Sequence, residues 1–408
     1  MKYLFVVTLL VSSFATAEIR PTDVVEGYVQ LAYRNYSDAL VGAEELQQSI
    51  KLLLRAPSAS RLVAAKDSWL AARPAYQQSE VFRFGNAVVD DWQGGLNSWP
   101  IDEGLIDYVA SDAYEYELGN AGAVANIVAN TQIGELNLKR LTPAVLASLN
   151  EFGGSEANVA TGYHAIEFLL WGQDLNGYQP GAGNRPWTDY AKGSACIHDH
   201  CKRRGQYLQA AADLLVEDLH FMVAQWAPDG DNVRAELLNA DPIDAMNRML
   251  FGMGSLALGE LAGERIKVAL MANSTEDEHD CFSDNTHNSH YYNALGIANL
   301  YYGRYTDRQG RQSRVVGLRD YLLVYGQTDL VDEADLAFAR TEATLAEVVR
   351  QAEQGMTFDR LIAPGNKAGQ ALLGDAISDL ISETNSIEQI ARVLGIDQLT
   401  PDDAGHSF

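Results

Sequence analysis

Apolar residues recur every three or four positions along most of the chain, which is the spacing that places side chains on one face of an α-helix. In residues 206–226 these positions are Leu208, Ala212, Leu215, Leu219, Met222 and Trp226. The same period predicts five more long helices, over residues 24–54, 57–84, 242–271, 333–353 and 368–394. Alternating strand patterns are scarce. The pattern therefore predicts an all-α fold of packed helical bundles.

Helix boundaries carry recognisable signals. Thr142 and Asp241 are each followed by a proline, so each is predicted to cap a helix whose first turn begins with that proline. Pro74 lies inside the predicted helix 57–84 and should kink or divide it, because proline lacks the backbone N–H that the helix ladder needs.

Two irregular stretches interrupt the helices. Residues 172–200 are rich in Gly, Pro and Asn, and residues 274–288 are polar and acidic. Each half of the chain thus has long helices and one special loop, which suggests an old duplication. We expect an N-terminal helical bundle over residues 18–203 and a C-terminal one over residues 204–408, since the chain exceeds what one core usually organises.

The first 17 residues resemble a secretory signal peptide. Lys2 supplies positive charge, residues 3–11 form an apolar core, and Ala15-Thr16-Ala17 is a small-residue cleavage site. The apolar run is too short to span a bilayer, and no later run is long enough. We therefore predict export through a cleaved signal peptide, to a bacterial periplasm or in association with the outer membrane.

The net charge of the chain limits the classes of molecule that it is expected to bind. The formal net charge is −25, which argues against nucleic acid and anionic membrane surfaces as partners. The acidic balance suits cation attraction as well as solubility.

The chain has three cysteines. Cys196 and Cys201 are close enough to form a disulfide within one loop, and export favours that oxidised state. The rival interpretation is a small metal site that adds His198 and His200 to the two thiolates. Cys281 is expected to be a buried, free side chain.

Candidate metal chemistry begins with His164 and Glu167, which lie three residues apart in an apolar run. On a helix this spacing puts both side chains on one face. A buried histidine and glutamate need partners, and a metal ion satisfies both, because imidazole and carboxylate are common ligands. The competing interpretation is a hydrogen-bonded core histidine beside a salt-bridged glutamate.

These residues also carry a family resemblance. Gly162-x-His164-x-x-Glu167, followed by the run 168–172, resembles the signature of the imelysin family, which is named after an insulin-cleaving bacterial membrane protease. An earlier segment is similar to a helix of the same family through Trp69, Arg73, Tyr76, Glu80 and Phe82-Arg83-Phe84-Gly85.

A third block links the chain to one branch of that family. Residues 276–287, Glu-Asp-Glu-His-Asp-Cys-Phe-Ser-Asp-Asn-Thr-His, are similar to the corresponding block of the iron-regulated protein A branch. Asp280 departs from the pattern, in which a small polar residue such as serine is expected. The resemblance covers nearly the whole chain after residue 17.

The resemblance implies an all-helical fold of two bundle-like halves with a pocket at their interface. It also implies an iron-linked role, in which the protein binds iron, another metal or a small iron-containing ligand during periplasmic uptake. The expected cofactor is a metal ion, iron or zinc, and an outer-membrane uptake system is a candidate partner. Two alternatives stay open: a metal-dependent peptidase, and a scaffold whose pocket has no ligand.

The expected metal ligands are His164, Glu167 and Glu80. Glu80 has an alternative role as the salt-bridge partner of Arg73 or Arg83. The rest of the expected pocket is oxygen-rich, which suits iron or calcium, and comprises Arg83, Glu276, Glu278, Asp280, Asp284, Asn285 and His287.

Some of these residues have other interpretations. Asp284 or Thr286 could cap the next helix. Helical zinc proteases carry two histidines four residues apart, whereas here Phe168 stands at the second position, so His287 is the likeliest residue to complete a zinc site. Glu264 and Arg265 are expected to form a paired helix charge near the acidic loop.

Overall fold

The computed structural model describes residues 19–396 and 399–408. The predicted signal segment, residues 1–17, lies outside the described residues. In the part that is described, no helix combines the length and apolarity needed to cross a membrane.

The first half of the chain is dominated by three long helices. Its helices are α1 (Pro21–Arg55), α2 (Ala59–Ser79), α3 (Ala87–Leu96), α4 (Glu103–Ile106), α5 (Pro143–Ala147), α6 (Gly162–Trp171) and α7 (Cys201–Trp226). A short 3₁₀ turn, Glu80–Phe82, extends α2. A small antiparallel hairpin pairs β1 (Gln132–Ile133) with β2 (Leu136–Asn137).

The second half repeats the emphasis on helices. Its helices are α8 (Val233–Asn239), α9 (Pro242–Ser255), a π-helix (Leu256–Lys267), α10 (Val268–Ala272), α11 (Thr286–Tyr302), α12 (Leu318–Val324), α13 (Thr328–Glu353), α14 (Phe358–Ile362) and α15 (Lys367–Val393). One further hairpin pairs β3 (Arg304–Thr306) with β4 (Gln312–Arg314). The all-α prediction is confirmed.

Local signals act largely as the sequence predicted. The Thr142 hydroxyl accepts a hydrogen bond from the Val145 N–H at 3.3 Å, and Asp241 accepts one from the Ile243 N–H at 2.9 Å. Pro74, however, does not divide its helix, because α2 runs unbroken from Ala59 to Ser79.

One apolar core joins both halves of the chain. Helix α1 packs along α2 and α7, α13 packs on α15, and α11 lies against both α2 and α13. The core cluster contains Trp69 and Phe168 from the first half and Ile297 and Leu380 from the second. The predicted boundary at residues 203 and 204 falls inside α7, so the division into halves does not separate two independent helix sets.

Helix α6 is buried along its whole length. All ten of its residues are buried, as expected of a short helix that is apolar on every face. Gly162 begins it with φ +81°, and a Cβ there would stand 2.4 Å from the Leu96 carbonyl oxygen. The glycine thus permits a close approach that carries His164 and Glu167 into the centre of the molecule.

Candidate metal centre

His164 and Glu167 point the same way from α6, as their spacing predicted. His164 Nδ1 lies 3.0 Å from Glu167 Oε2, and the side chains are 1% and 0% exposed. The second ring nitrogen, His164 Nε2, is buried without a hydrogen-bond partner. An unpaired buried polar atom is costly, so it points to a ligand or an ion.

The loop between α10 and α11 brings two more candidate ligands, His279 and Asp280, close to His164. His279 Nδ1 lies 3.2 Å from Asp280 Oδ1, and His164 Nδ1 lies 3.8 Å from the same oxygen. The two imidazole rings meet edge to face with their centroids 4.7 Å apart. One ligand atom from each of His164, His279 and Asp280 lies within 4.8 Å of the other two. We call these three residues the His–Asp centre.

Asp280 is held as a carboxylate by its surroundings. Arg73 Nη2 donates to Asp280 Oδ1 at 2.7 Å, and Asn285 Nδ2 donates to Oδ2 at 2.8 Å. The Ser289 hydroxyl donates a further short hydrogen bond to Oδ2. Burial alone would raise the pKa of Asp280, but the Arg73 guanidinium and the neighbouring imidazoles bring this pKa well below its usual range.

Both imidazoles of the centre are neutral. Burial lowers the pKa of His164 well below its ordinary value, and His279 and Arg73 lower it further. Burial and Arg265 lower the pKa of His279 to about 4. A neutral imidazole offers the lone pair that a metal ion needs.

Glu167 is fixed from the other side by the acidic loop. Its Oε1 accepts hydrogen bonds from the Ser283 N–H at 3.0 Å and from the Ser283 hydroxyl at 2.7 Å. Burial, followed by the charge of Asp280, raises the pKa of Glu167 well above its ordinary value. The carboxyl group therefore binds its proton more tightly than an exposed glutamate, and it contacts His164 directly.

Glu80 lies in the layer around the centre. Its Oε2 accepts hydrogen bonds from Arg265 Nη1 and Asn293 Nδ2, each at 2.7 Å. Its Oε1 accepts one at 2.8 Å from Asn97 Nδ2, which is also 3.5 Å from His279 Nε2. The ion-pair partner of Glu80 is thus Arg265, and neither Arg73 nor Arg83. Both carboxylate oxygens of Glu80 are occupied by these donors. A metal-ligand role for Glu80 stays a prediction.

Arg83 is farther out. It contacts Asp90 at 2.7 Å and Glu260 at 3.4 Å. Glu260 in turn accepts hydrogen bonds from Arg265 at 2.7 Å and 3.0 Å. Arg265 therefore pairs with Glu80 and Glu260, and the expected pairing with Glu264 is wrong, since Glu264 contacts His406 at 2.9 Å.

Glu276 and Glu278 line a second cavity and do not belong to the His–Asp centre. Together with Glu103 and Asp174 they line a cavity of about 10 Å³, separate from the His–Asp centre. Burial and nearby carboxylates raise the pKa of Glu103 to about 8 and that of Asp284 to about 7. The acidic loop therefore supplies Asp280 to the centre, and Glu276 and Glu278 to this second cavity.

His287 was expected to complete a metal site, and the structure brings His279 to the centre instead. His287 Nε2 contacts the Asn288 side chain at 3.1 Å, and its Nδ1 is buried without a partner. Asn285 holds the N-cap position of α11 without a side-chain capping hydrogen bond, so neither Asp284 nor Thr286 is the N-cap residue. Sequence reasoning missed His279 as a ligand, although it directly precedes Asp280 in the family-like block.

The cysteines do not form a metal site. Cys196 and Cys201 are joined in a disulfide, and His198 Nδ1 is 2.7 Å from Asp189 Oδ1. Cys281 is a free thiol that is only partly buried, not the buried side chain expected. Desolvation, followed by the charges of nearby carboxylates, raises its pKa well above the ordinary value.

The residues of the His–Asp centre fit a transition-metal ion. Two neutral imidazoles and one carboxylate are a donor set that suits zinc or ferrous iron. The buried, unpartnered Nε2 of His164 is a structural reason to expect a ligand beside this ring. The Arg73 guanidinium, whose Nη2 lies 3.4 Å from His279 Nδ1, balances the charge of Asp280.

Comparison with known proteins agrees with the sequence motifs. Residues 32–387 match the family model described as Imelysin. An iron-regulated protein A from Synechococcus elongatus is 23% identical over 312 residues, covering 74% of this chain and 70% of that protein.

Two solved structures share the fold. One is described as an iron-regulated protein A precursor from Parabacteroides distasonis, with a TM-score of 0.66, 16% identity and coverage of 93% of this chain and 96% of that chain. The other is an imelysin-like protein from Psychrobacter arcticum, with a TM-score of 0.59, 16% identity and coverage of 93% and 98%.

Proposed function

This chain belongs to the imelysin family, and on that premise we propose that it binds iron, as the ion or within a small iron-containing ligand, at the His–Asp centre. The observation that carries the proposal is the convergence of His164, His279 and Asp280 within 4.8 Å. An iron-related function is also supported by the named relative, iron-regulated protein A.

The geometry favours binding over peptide hydrolysis. His164, His279 and Asp280 are each at most 1% exposed. A polypeptide substrate would need an open coordination position facing a cleft, and such burial offers none. A small ion needs only a narrow path. The metal-dependent peptidase thus stays the second candidate, supported by the family's name alone.

We place this activity in periplasmic iron uptake, following the predicted signal peptide and the name of the relative. The expected partners are the metal or the small iron-containing ligand, together with an outer-membrane uptake system. When bound, the metal would supply a positive charge to His164 and Asp280. Arg73, Asn285 and Ser289 would hold the carboxylate in place for it.

Calorimetric titration of the metal-free protein with Fe²⁺ under nitrogen, and separately with Zn²⁺, tests the proposal. His164→Gln keeps a similar volume but removes an imidazole ligand, so the affinity should fall at least about tenfold. His279→Gln should have the same effect, and the two losses should be far from additive, because either change breaks one site.

A matched control separates binding from general destabilisation. Tyr207→Phe removes a buried hydrogen bond to the Ala160 carbonyl that is 2.9 Å long, and should lower the melting temperature without changing metal affinity. If His164→Gln and His279→Gln bind both metals like the parent and only melt earlier, the centre is structural. Chelator-sensitive hydrolysis of a peptide would favour the peptidase instead.

A further inference from the structure

A large cavity lies outside the His–Asp centre and shares no residue with it. It has a volume of about 1060 Å³. Its walls are the end of α1, the segment before α5, the loop 190–196 and the first turns of α7. This volume is in the range of sites that hold organic ligands, and far exceeds that of a single ion.

The cavity is basic in a strongly acidic protein. The chain has 30 Lys and Arg against 55 Asp and Glu, so an average patch of its surface is negative. The lining instead contains one carboxylate, Asp213, and six permanent cations: Lys51, Arg55, Arg140, Lys192, Lys202 and Arg203. Such a concentration of one sign in a concave site attracts anions.

Three of these cations are free to bind a ligand. Arg55, Arg140 and Lys202 are exposed, and within the described ranges none of their side chains forms an ion pair or a hydrogen bond. Arg203 differs, because it donates to backbone carbonyls, including those of Val128 and Leu138. The free guanidinium and ammonium groups can therefore contact a carboxylate without first losing a partner.

The start of α7 adds to the positive potential. This helix is 26 residues long and begins at Cys201, and its N-cap residue His200 makes no side-chain capping bond. Both residues line the cavity. The positive end of a long helix therefore faces the same space as the free cations, which favours an anionic group there.

Apolar side chains form the remaining wall. Leu54, Leu141, Tyr190 and Ala191 line the cavity beside the cations. We propose that this cavity, the basic pocket, binds a small organic anion in which a carboxylate is attached to an aromatic or aliphatic body. The carboxylate would contact Arg140 and Lys202, and the apolar body would cover the leucines and Tyr190.

Fluorescence titration with naphthoate tests this class of ligand. Uncharged naphthamide and acetate serve as comparison probes, since each lacks one of the two features. Naphthoate should bind at least tenfold more tightly than either, and added sodium chloride should weaken it because exposed charges are screened. The double change Arg140→Glu with Lys202→Glu should weaken naphthoate at least tenfold.

The control variant changes the charge by the same amount elsewhere. Arg340→Glu with Lys367→Glu alters two exposed cations that do not line the pocket, and should leave naphthoate affinity unchanged. His164→Gln should also leave it unchanged, so the test is independent of the proposed metal site.

Three outcomes would overturn the proposal. They are equal binding of naphthoate and naphthamide, equal binding by the parent and the Arg140 and Lys202 double variant, and a short polyglutamate peptide that binds more tightly than naphthoate. The last would identify the pocket as a site for acidic polypeptides. Circular dichroism confirms that each variant is folded before it is titrated.

Discussion

At the scale of single residues, Asp280 is the charged member of the His–Asp centre. The resemblance led us to expect a small polar residue there, yet Asp280 contacts Arg73, His279, Asn285 and Ser289 and is fully buried. A serine could not balance the Arg73 charge in this position. The carboxylate thus gives the centre of this protein a negative charge that the expected residue would lack.

Glu80 gives a residue-scale prediction about acid stability. Burial would raise its pKa, but Arg265 and the other nearby cations overcome this and lower it far below its ordinary value. The Arg265 pair therefore stabilises the fold fully above the unfolded pKa of about 4.3. That contribution is lost as the pH falls through the lower folded pKa.

Glu80→Gln should accordingly destabilise the protein by about 3 kcal/mol at pH 7, because it leaves Arg265 with one buried carboxylate fewer. The difference between parent and variant in free energy of unfolding should shrink below about pH 4. Urea unfolding at several pH values measures it. If the difference in free energy of unfolding between parent and variant is constant from pH 7 to pH 3, the ionised Glu80 carboxylate does not stabilise the fold.

At the scale of elements, the sequence predicted helices well and their details less well. The six long apolar repeats all correspond to helices, since the 3.6-residue period is a property of sequence alone. The π-helix Leu256–Lys267 was not predicted. In an α-helix, residues five apart point about 140° away from each other, whereas here Arg265 contacts Glu260 at 2.7 Å.

The same limit applies to the site. The shared direction of His164 and Glu167 was predictable, because it depends only on their spacing of three positions along one helix. The approach of His279 and Asp280 depends on a loop more than 100 residues later, and its path is set by packing. Glu276, Glu278 and His287 looked equally suitable as partners in the sequence, and only the fold places them elsewhere.

Glu383 provides an element-scale prediction on α15. Its side chain is 1% exposed, its Oε1 has no partner, and burial raises its pKa to about 8. The folded state therefore binds a proton that the unfolded state releases near pH 4.3. Stability from this group is present at low pH and is lost as the pH rises from about 4 to about 8.

Glu383→Gln removes this titration and should stabilise the protein at pH 8 by roughly 4–5 kcal/mol, with little effect at pH 4. Glu353→Gln, at an exposed position on α13, is the matched control and should change stability little at either pH. Melting temperatures of the parent and both variants at pH 4 and pH 8 test this prediction. Equal shifts at pH 4 and pH 8 would contradict the prediction.

At the scale of the whole molecule, buried polar contacts bind the two halves together. Arg73 pairs with Asp280, Glu80 pairs with Arg265, and the apolar core is continuous between them. A fragment of residues 19–226 would lose the counter-charges of Arg73 and Glu80 and would expose the apolar surface that packs against the second half. Exposed apolar surface costs roughly 25 cal/mol per Å².

We therefore expect the fragment 19–226 to lack a cooperative thermal transition when expressed alone, and to regain one when mixed with residues 227–408. Circular dichroism melts of each fragment and of the mixture measure this. An N-terminal fragment that melts cooperatively by itself would establish residues 19–226 as an independent domain.

Arg73 and Asp280 form a pair in the folded protein but are synthesised at different times. The two residues are 207 positions apart, and ribosomes add roughly 5–20 residues per second. Roughly 10–40 s therefore pass between the appearance of the guanidinium and that of its carboxylate. Throughout that interval the Arg73 guanidinium on α2 has no charge partner from this loop.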